Sequence, residues 1–158
     1  EVVSVHFVND EKVGILTSEG NFVIIETEEI NPIGRATAGI KAIKLSTDDK
    51  VISSHVICKK DNMLVTISRG GLAKKTSLEE FPVCNRGIKG RKISGTRDND
   101  FIVDFLTLSE DCDIIVITKS NIIKFNTSEL RNLSRDATGV KSITLTENNY
   151  AVNLIKTE

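Results

Sequence analysis

The chain alternates between apolar, β-branched runs and short polar turns. "ILTSEGNFVII" (15–25), "VTISRGGLAKK" (65–75) and "IVITKSNIIKF" (115–125) align at offsets of 50, with turns at 18–21, 68–71 and 118–121. Two β-rich runs around so short a turn predict a hairpin. A further strand pattern occurs four times, as "VVSVHF" (2–7), "VISSHV" (51–56), "FIVDFL" (101–106) and "YAVNLI" (150–155). Extended helical periodicity is absent, so the pattern predicts an all-β chain.

A second motif keeps step with the hairpins. "RATAG" (35–39), "RGIKG" (86–90) and "RDATG" (135–139) are all R-x-x-x-G, spaced 51 and 49 apart. Five residues before each Arg stands an apolar residue, Ile30, Phe81 or Leu130, preceded by "TEE", "LEE" or "SE". After each Gly comes a basic and apolar run, "IKAIKL", "RKI" or "VKSITL". The expectation is one propeller-like domain of about three four-stranded blades, in a partial or open array. The approximate repeats are 1–49, 50–99 and 100–149, with a closing strand at 150–158. A single blade cannot bury its own faces, so the blades must stack.

Composition narrows the chemistry. The 158 residues are 39% hydrophobic and 27% charged, enough for a core and against disorder. No apolar run reaches the ~18 residues of a membrane span, and no signal-peptide pattern is present. The start at Glu1 without Met is expected of a piece of a longer protein. Cys58, Cys84 and Cys112 are scattered and odd in number, which fits a reducing cytosol rather than a disulfide framework or zinc site.

The candidate catalytic groups fall to the repeat. His6 and His55 share a position with Phe105 and Leu154, which marks a packing slot. Tyr150 occupies the Phe101 slot and has no activating neighbour in the sequence. "SEDCD" (109–113) lacks the calcium-loop pattern. No P-loop, GxSxG, HExxH or paired-carboxylate arrangement is apparent, so no catalytic residue, metal or cofactor is expected.

The charge is unevenly spread. Residues 69–97 carry eight Lys/Arg against Glu79 and Glu80, a net +6, in a chain whose total is −1. The densest stretch is "NRGIKGRK" (85–92), which points to an anionic partner.

The unit "GLAKKTSLEEF…R-x-x-x-G", followed by "DCDIIVITKSNIIKFNTSEL…RDATGVKSITL", resembles the C-terminal domain of the A subunit of bacterial DNA gyrase and of its paralogue, topoisomerase IV. The resemblance covers essentially the whole chain. It implies a β-pinwheel, a propeller variant whose blades exchange strands, built from about six repeats, of which these would be the last three. It further implies duplex-DNA binding and bending around the outer rim, without cleavage chemistry, since the catalytic tyrosine of the family lies in another domain. The implied partners are duplex DNA, the ATPase B subunit and the remainder of the A subunit in an A2B2 assembly, in the bacterial cytoplasm. The family's box Q-R-R-G-G-K-G is matched only in part by "NRGIKGRK", which lacks the leading Gln-Arg and the Gly-Gly pair. A full box is expected N-terminal to Glu1. Two other roles stay open at this point: a topoisomerase IV geometry module, and a propeller-type protein-interaction scaffold.

On this reading the DNA-contacting candidates are Arg69, Lys74, Lys75, Arg86, Lys89, Arg91, Lys92, Lys119, Lys124 and Arg135. Lys124 aligns with Lys74, and Ile24 stands there in the first copy. Arg69 and Lys119 align with Glu19. The motif arginines Arg35, Arg86 and Arg135 admit two roles, a structural pair with the acid just upstream or a phosphate contact. Gly39, Gly90 and Gly139 are expected to serve backbone geometry or close strand approach.

Overall fold

The computed structural model describes residues 1–9, 11–97 and 99–157. Its strands are β1 (Lys12–Thr17), β2 (Asn21–Glu26), β3 (Val51–Ile57), β4 (Met63–Ser68), β5 (Leu72–Ser77) and β6 (Arg91–Lys92). They continue as β7 (Ile102–Leu108), β8 (Asp113–Thr118), β9 (Ile122–Asn126), β10 (Val140–Lys141) and β11 (Ala151–Lys156). A single 3-10 turn follows each hairpin, at Thr27–Glu29, Leu78–Glu80 and Thr127–Glu129.

Among the described residues three antiparallel sheets result, ordered β3-β1-β2-β6, β7-β4-β5-β10 and β11-β8-β9. Each hairpin takes its inner neighbour from the start of the next repeat. The first two also take a short outer strand from that next repeat, just past its R-x-x-x-G. This is the strand exchange that the resemblance implied. The third sheet differs from expectation: it has three strands, because no further R-x-x-x-G follows Gly139 within residues 1–158 to supply the outer one.

The same rule explains a second departure. Residues 2–7 match the inner-strand pattern but form no strand, and Val2, Val5 and Phe7 are exposed. An inner strand pairs with the hairpin before it, and within residues 1–158 no hairpin precedes this one. Ile30 follows suit. It is 40% exposed, whereas its counterparts Phe81 and Leu130 are each 5% exposed between adjacent sheets.

The core lies between blades. Leu16, Phe22, Ile57, Leu64, Phe81 and Phe105 join the first sheet to the second. Val65, Leu106, Ile114, Val116, Leu130 and Leu154 join the second to the third. At the hub, buried Asp104 on β7 gathers all three inner strands. Its Oδ1 accepts from Ser53 Oγ, from Phe105 N at 2.9 Å and from His55 Nε2 at 3.0 Å, and its Oδ2 accepts from Leu154 N at 2.8 Å. The His55 slot is therefore more than apolar packing: the ring abuts Phe105 and also ties β3 to β7.

The structural repeat is not a uniform 50 residues. The 3-10 caps Glu26, Ser77 and Asn126 are spaced 51 and 49 apart. The first two hairpins turn through Gly20 and Gly71, both with positive φ. The third turns between Thr118 and Asn121 and is one residue shorter, since Ile117 faces Ile122 where Ile67 faces Ala73. Two alignments change in consequence. Arg69 and Lys119 correspond to Ser18 rather than Glu19, because all three donate a backbone N–H to the residue just before an inner strand, Phe101, Tyr150 and Lys50 respectively. Lys124 corresponds to Lys75 and Ile24, whereas Lys74 corresponds to Val23 and Ile123.

Candidate nucleic-acid interface

The inner strands adjoin at the hub, so the outermost strands and the connectors that lead to them form the rim. The connector before β6 carries exposed Arg86 and Lys89, and β6 itself is the exposed pair Arg91 and Lys92. Lys92 Nζ donates to the carbonyl of Glu19, which pins that side chain along the first sheet. On the second sheet β10 carries exposed Lys141 at the position of Lys92. Lys141 was absent from the candidates read from sequence, although the Gly-x-Lys step of all three repeats (Lys41, Lys92, Lys141) carried the signal.

The connectors are held by a contact that crosses repeats. Glu29 Oε2 accepts from Arg86 N at 2.9 Å, and Glu80 Oε2 accepts from Arg135 N at 2.7 Å. Each acid thus holds the backbone of the next repeat's arginine, not the side chain of its own. Glu129 has no motif arginine of a further repeat within residues 1–158 to hold and instead completes a capping box with Asn126. The guanidinium groups are left for other work. Arg135 donates to Lys92 O at 3.1 Å and pairs with Asp136 at 3.0 Å, while Arg86 is exposed.

Arg69 and Lys119 lie on hairpin turns, nearer the hub. The Arg69 guanidinium stacks 3.6 Å from the Tyr150 ring centre, and Lys119 Nζ lies 5.8 Å from the same ring. A guanidinium held by its face keeps its in-plane donors for an anion. Arg69, Arg97 and Lys141 line one open groove with Asp100, Asn99, Asn148 and Asn149, of about 570 Å³. Arg97, like Lys141, was not singled out from sequence.

Two of the expected contacts are placed elsewhere. Lys74 is 0% exposed. Its Nζ donates to the carbonyls of Ser134, Arg135 and Ala137 at 2.8, 2.7 and 2.7 Å. A phosphate could reach this ammonium only by displacing all three. Lys75, 7% exposed on the other face of β5, bonds Asp111 Oδ1 at 2.6 Å and so joins the second blade to the third. The hydrogen bond from Lys75, then that from Thr127, holds the Asp111 carboxyl below its usual range. Lys124 does remain on an outer edge, 59% exposed, but paired with Asp113 at 2.7 Å.

Burial, partly opposed by the Glu80 charge, lowers the Lys74 pKa to about 8 from 10.5. The unfolded chain then binds more protons than the native one between those values, so stability rises with pH across that window. The expected rise is on the order of 2 kcal/mol. Urea midpoints measured from pH 7.5 to 10 should show it, and Lys74→Met should flatten it; an equal rise in the variant would refute the assignment.

Comparison with known proteins agrees with the architecture. Residues 14–58, 62–109 and 113–158 match the family described as DNA gyrase C-terminal domain, beta-propeller. The DNA gyrase A subunit of Kosmotoga olearia is 32% identical over 154 residues, covering 89% of this chain and 19% of that protein. The DNA gyrase A subunit of Mycobacterium leprae is 29% identical over 154 residues, covering 88% of this chain and 12% of that protein. The chain therefore spans less than a fifth of the length of these curated relatives. The crystal structure of the C-terminal domain of DNA topoisomerase IV superposes with a TM-score of 0.88 at 25% identity, over 99% of this chain and 50% of that one. The DNA gyrase A C-terminal domain gives 0.85 at 23% identity, over 95% and 52%. With its family match spread over all three hairpins and their exchanged strands, the chain belongs to the DNA gyrase C-terminal domain family of β-pinwheels.

Proposed function

We propose that this chain is a non-catalytic unit that binds and bends duplex DNA, within the A subunit of a type IIA topoisomerase. The observation that carries the reading is the exposed cation set on consecutive outer strands of a gyrase-family array, Arg91 and Lys92 on β6 and Lys141 on β10, with Lys92 and Lys141 at one repeat position. Arg86, Lys89 and Arg135 on the connectors, Arg69, Arg97 and Lys119 on the turns, and Lys124 on β9 extend it. Lys74 and Lys75 support the blades from within. Phosphate contacts from a rigid convex edge need little base readout. Bending 20–30 bp costs about 1–6 kcal/mol, which several such contacts offset. The catalytic tyrosine, the ATPase B subunit of an A2B2 enzyme and the remainder of the A subunit lie outside this chain on this reading, and the setting is the bacterial cytoplasm.

Titration of a fluorescent 30-bp duplex at several salt concentrations tests the proposal. Affinity should fall steeply with salt and vary little with sequence. Replacing Lys89, Arg91 and Lys92 together by Ala should reduce the log–log salt slope by about 2–3, and Lys141→Ala by about 1. Lys74→Met should leave the slope of the folded protein unchanged. Absence of binding at low salt, or a triple variant with an unaltered slope, would reject this interface.

A further inference from the structure

The strand register sets Ile24 of the first blade against Lys75 of the second. Each makes a parallel bridge to the segment just past the 3-10 turn of the next repeat, Ile24 to Val83 and Lys75 to Asn132. Each also faces the turn that precedes the next hairpin, where an aspartate stands two residues before the strand: Asp61 before β4 and Asp111 before β8. Between the second and third blades, Lys75 crosses to Asp111 and fills the gap. Between the first and second, Ile24 is too short to cross, and a groove of about 420 Å³ remains.

The lining of that groove matches the side chain it lacks. Ile24, Ile57, Phe81 and Val83 supply an apolar surface for methylenes. Asp61, Glu11 and Glu28 supply negative charge, and Glu26 is there too, 3.6 Å from Lys12. Lys59 is the other cation on the lining. Asp61 is held in place through Oδ2, which accepts from Cys58 N at 3.0 Å and Thr107 Oγ1 at 2.5 Å. The field there is negative enough to be felt by a neighbour: the Cys58 thiol is pushed up by burial first, then by Asp61 and Glu11. An apolar stem with a cationic head is the chemistry such a site binds.

We propose that this groove receives the side chain of a lysine presented by a partner polypeptide, in the place that Lys75 fills one blade further on. The contact is separate from the basic rim and does not depend on the DNA reading. The same chemistry delivered in cis by Lys75 is delivered here in trans, and the acidic lining selects a basic segment of the partner.

Methyl NMR titration of the 158-residue chain with the peptide acetyl-Gly-Lys-Gly-amide tests it. Saturable shifts at the Ile24 and Ile57 methyls are expected, with the norleucine peptide at least tenfold weaker. Asp61→Asn should weaken binding about fivefold or more. Ile24→Lys should abolish binding and raise the melting temperature, by rebuilding the Lys75–Asp111 pair in the first groove. Ile24→Met should also block the groove, and serves if the lysine variant fails to fold. Equal binding of the norleucine peptide, or undiminished binding to both Ile24 variants, would overturn the proposal.

Discussion

Lys74→Met is expected to destabilise the protein by about 3 kcal/mol, enough to lower the melting temperature by about 6–12 °C. Lysine at this site is a structural fastener. Its ammonium satisfies three carbonyls of the "SRDA" stretch, and Ser94 Oγ adds a fourth bond, to Ala137 O at 3.2 Å. Methionine fills the volume but donates nothing, so the three carbonyls lose their donor in a covered site. The first blade shows what an alternative requires. There Val23, Ile43 and Ile88 stand where the second blade has Lys74, Ser94 and Ala137, and Val23 and Ile43 belong to a buried apolar cluster with Ile15 and Ile25. The plug is polar in one blade and apolar in the other, and each is internally consistent. Installing all three residues together, as Lys74→Val, Ser94→Ile and Ala137→Ile, should therefore recover at least half of the loss, which the single change Lys74→Val cannot. Exposed Lys60→Met should stay within about 0.5 kcal/mol. Denaturant unfolding of the four variants decides the matter; a neutral Lys74→Met would show the fastener to be dispensable.

The same residue shows where sequence reasoning stopped. The basic pair in "LAKKTS" reads as two DNA contacts, and a strand covered on one face would still leave one of the two lysines in solvent. Both are buried, because β5 has the 134–138 connector on one face and the turn at 109–112 on the other. Strand exchange puts both covers there from the following repeat, and local periodicity carries no trace of which segment lies across a strand. The hairpins, the R-x-x-x-G frame and the inner strands were legible, since each is a short run with its own turn chemistry. The register was less so. A uniform spacing of 50 hides a hairpin one residue shorter, and one residue moves Lys124 from the place of Lys74 to that of Lys75. "VVSVHF" reads as a strand by pattern alone, yet pairing needs a partner hairpin. The rim cations were mostly visible as a charge cluster. Lys141 stands alone in its segment, outside the charge cluster, and only the Gly-x-Lys step it shares with Lys41 and Lys92 marks it in the sequence.

The three motif glycines supply a graded test of the connectors. They occupy one repeat position, yet their surroundings differ. A Cβ on Gly90 would lie 2.4 Å from Phe22 O and 2.7 Å from Val23 Cγ1, and the residue has φ of 81°. One on Gly139 would meet Ala73 O at 2.9 Å and its backbone carbon at 3.0 Å. One on Gly39 meets nothing within 4 Å. The difference follows from the exchange rule. Gly90 and Gly139 let the chain pass tightly onto β2 and β5 so that β6 and β10 can pair, whereas Gly39 has no preceding hairpin to approach within residues 1–158. Gly90→Ala should thus cost about 3 kcal/mol or more, from a backbone clash added to left-handed strain. Gly139→Ala should cost about 1–2 kcal/mol, from crowding alone. Gly39→Ala should be neutral or slightly stabilising, within about 0.5 kcal/mol, by restricting the unfolded chain. Because Gly90 positions Arg91 and Lys92, its alanine variant should also weaken DNA binding where the protein is still folded, while Gly39→Ala should not. Equal costs at the three positions would mean that the glycines answer to a common turn geometry and not to the strand each connector must approach.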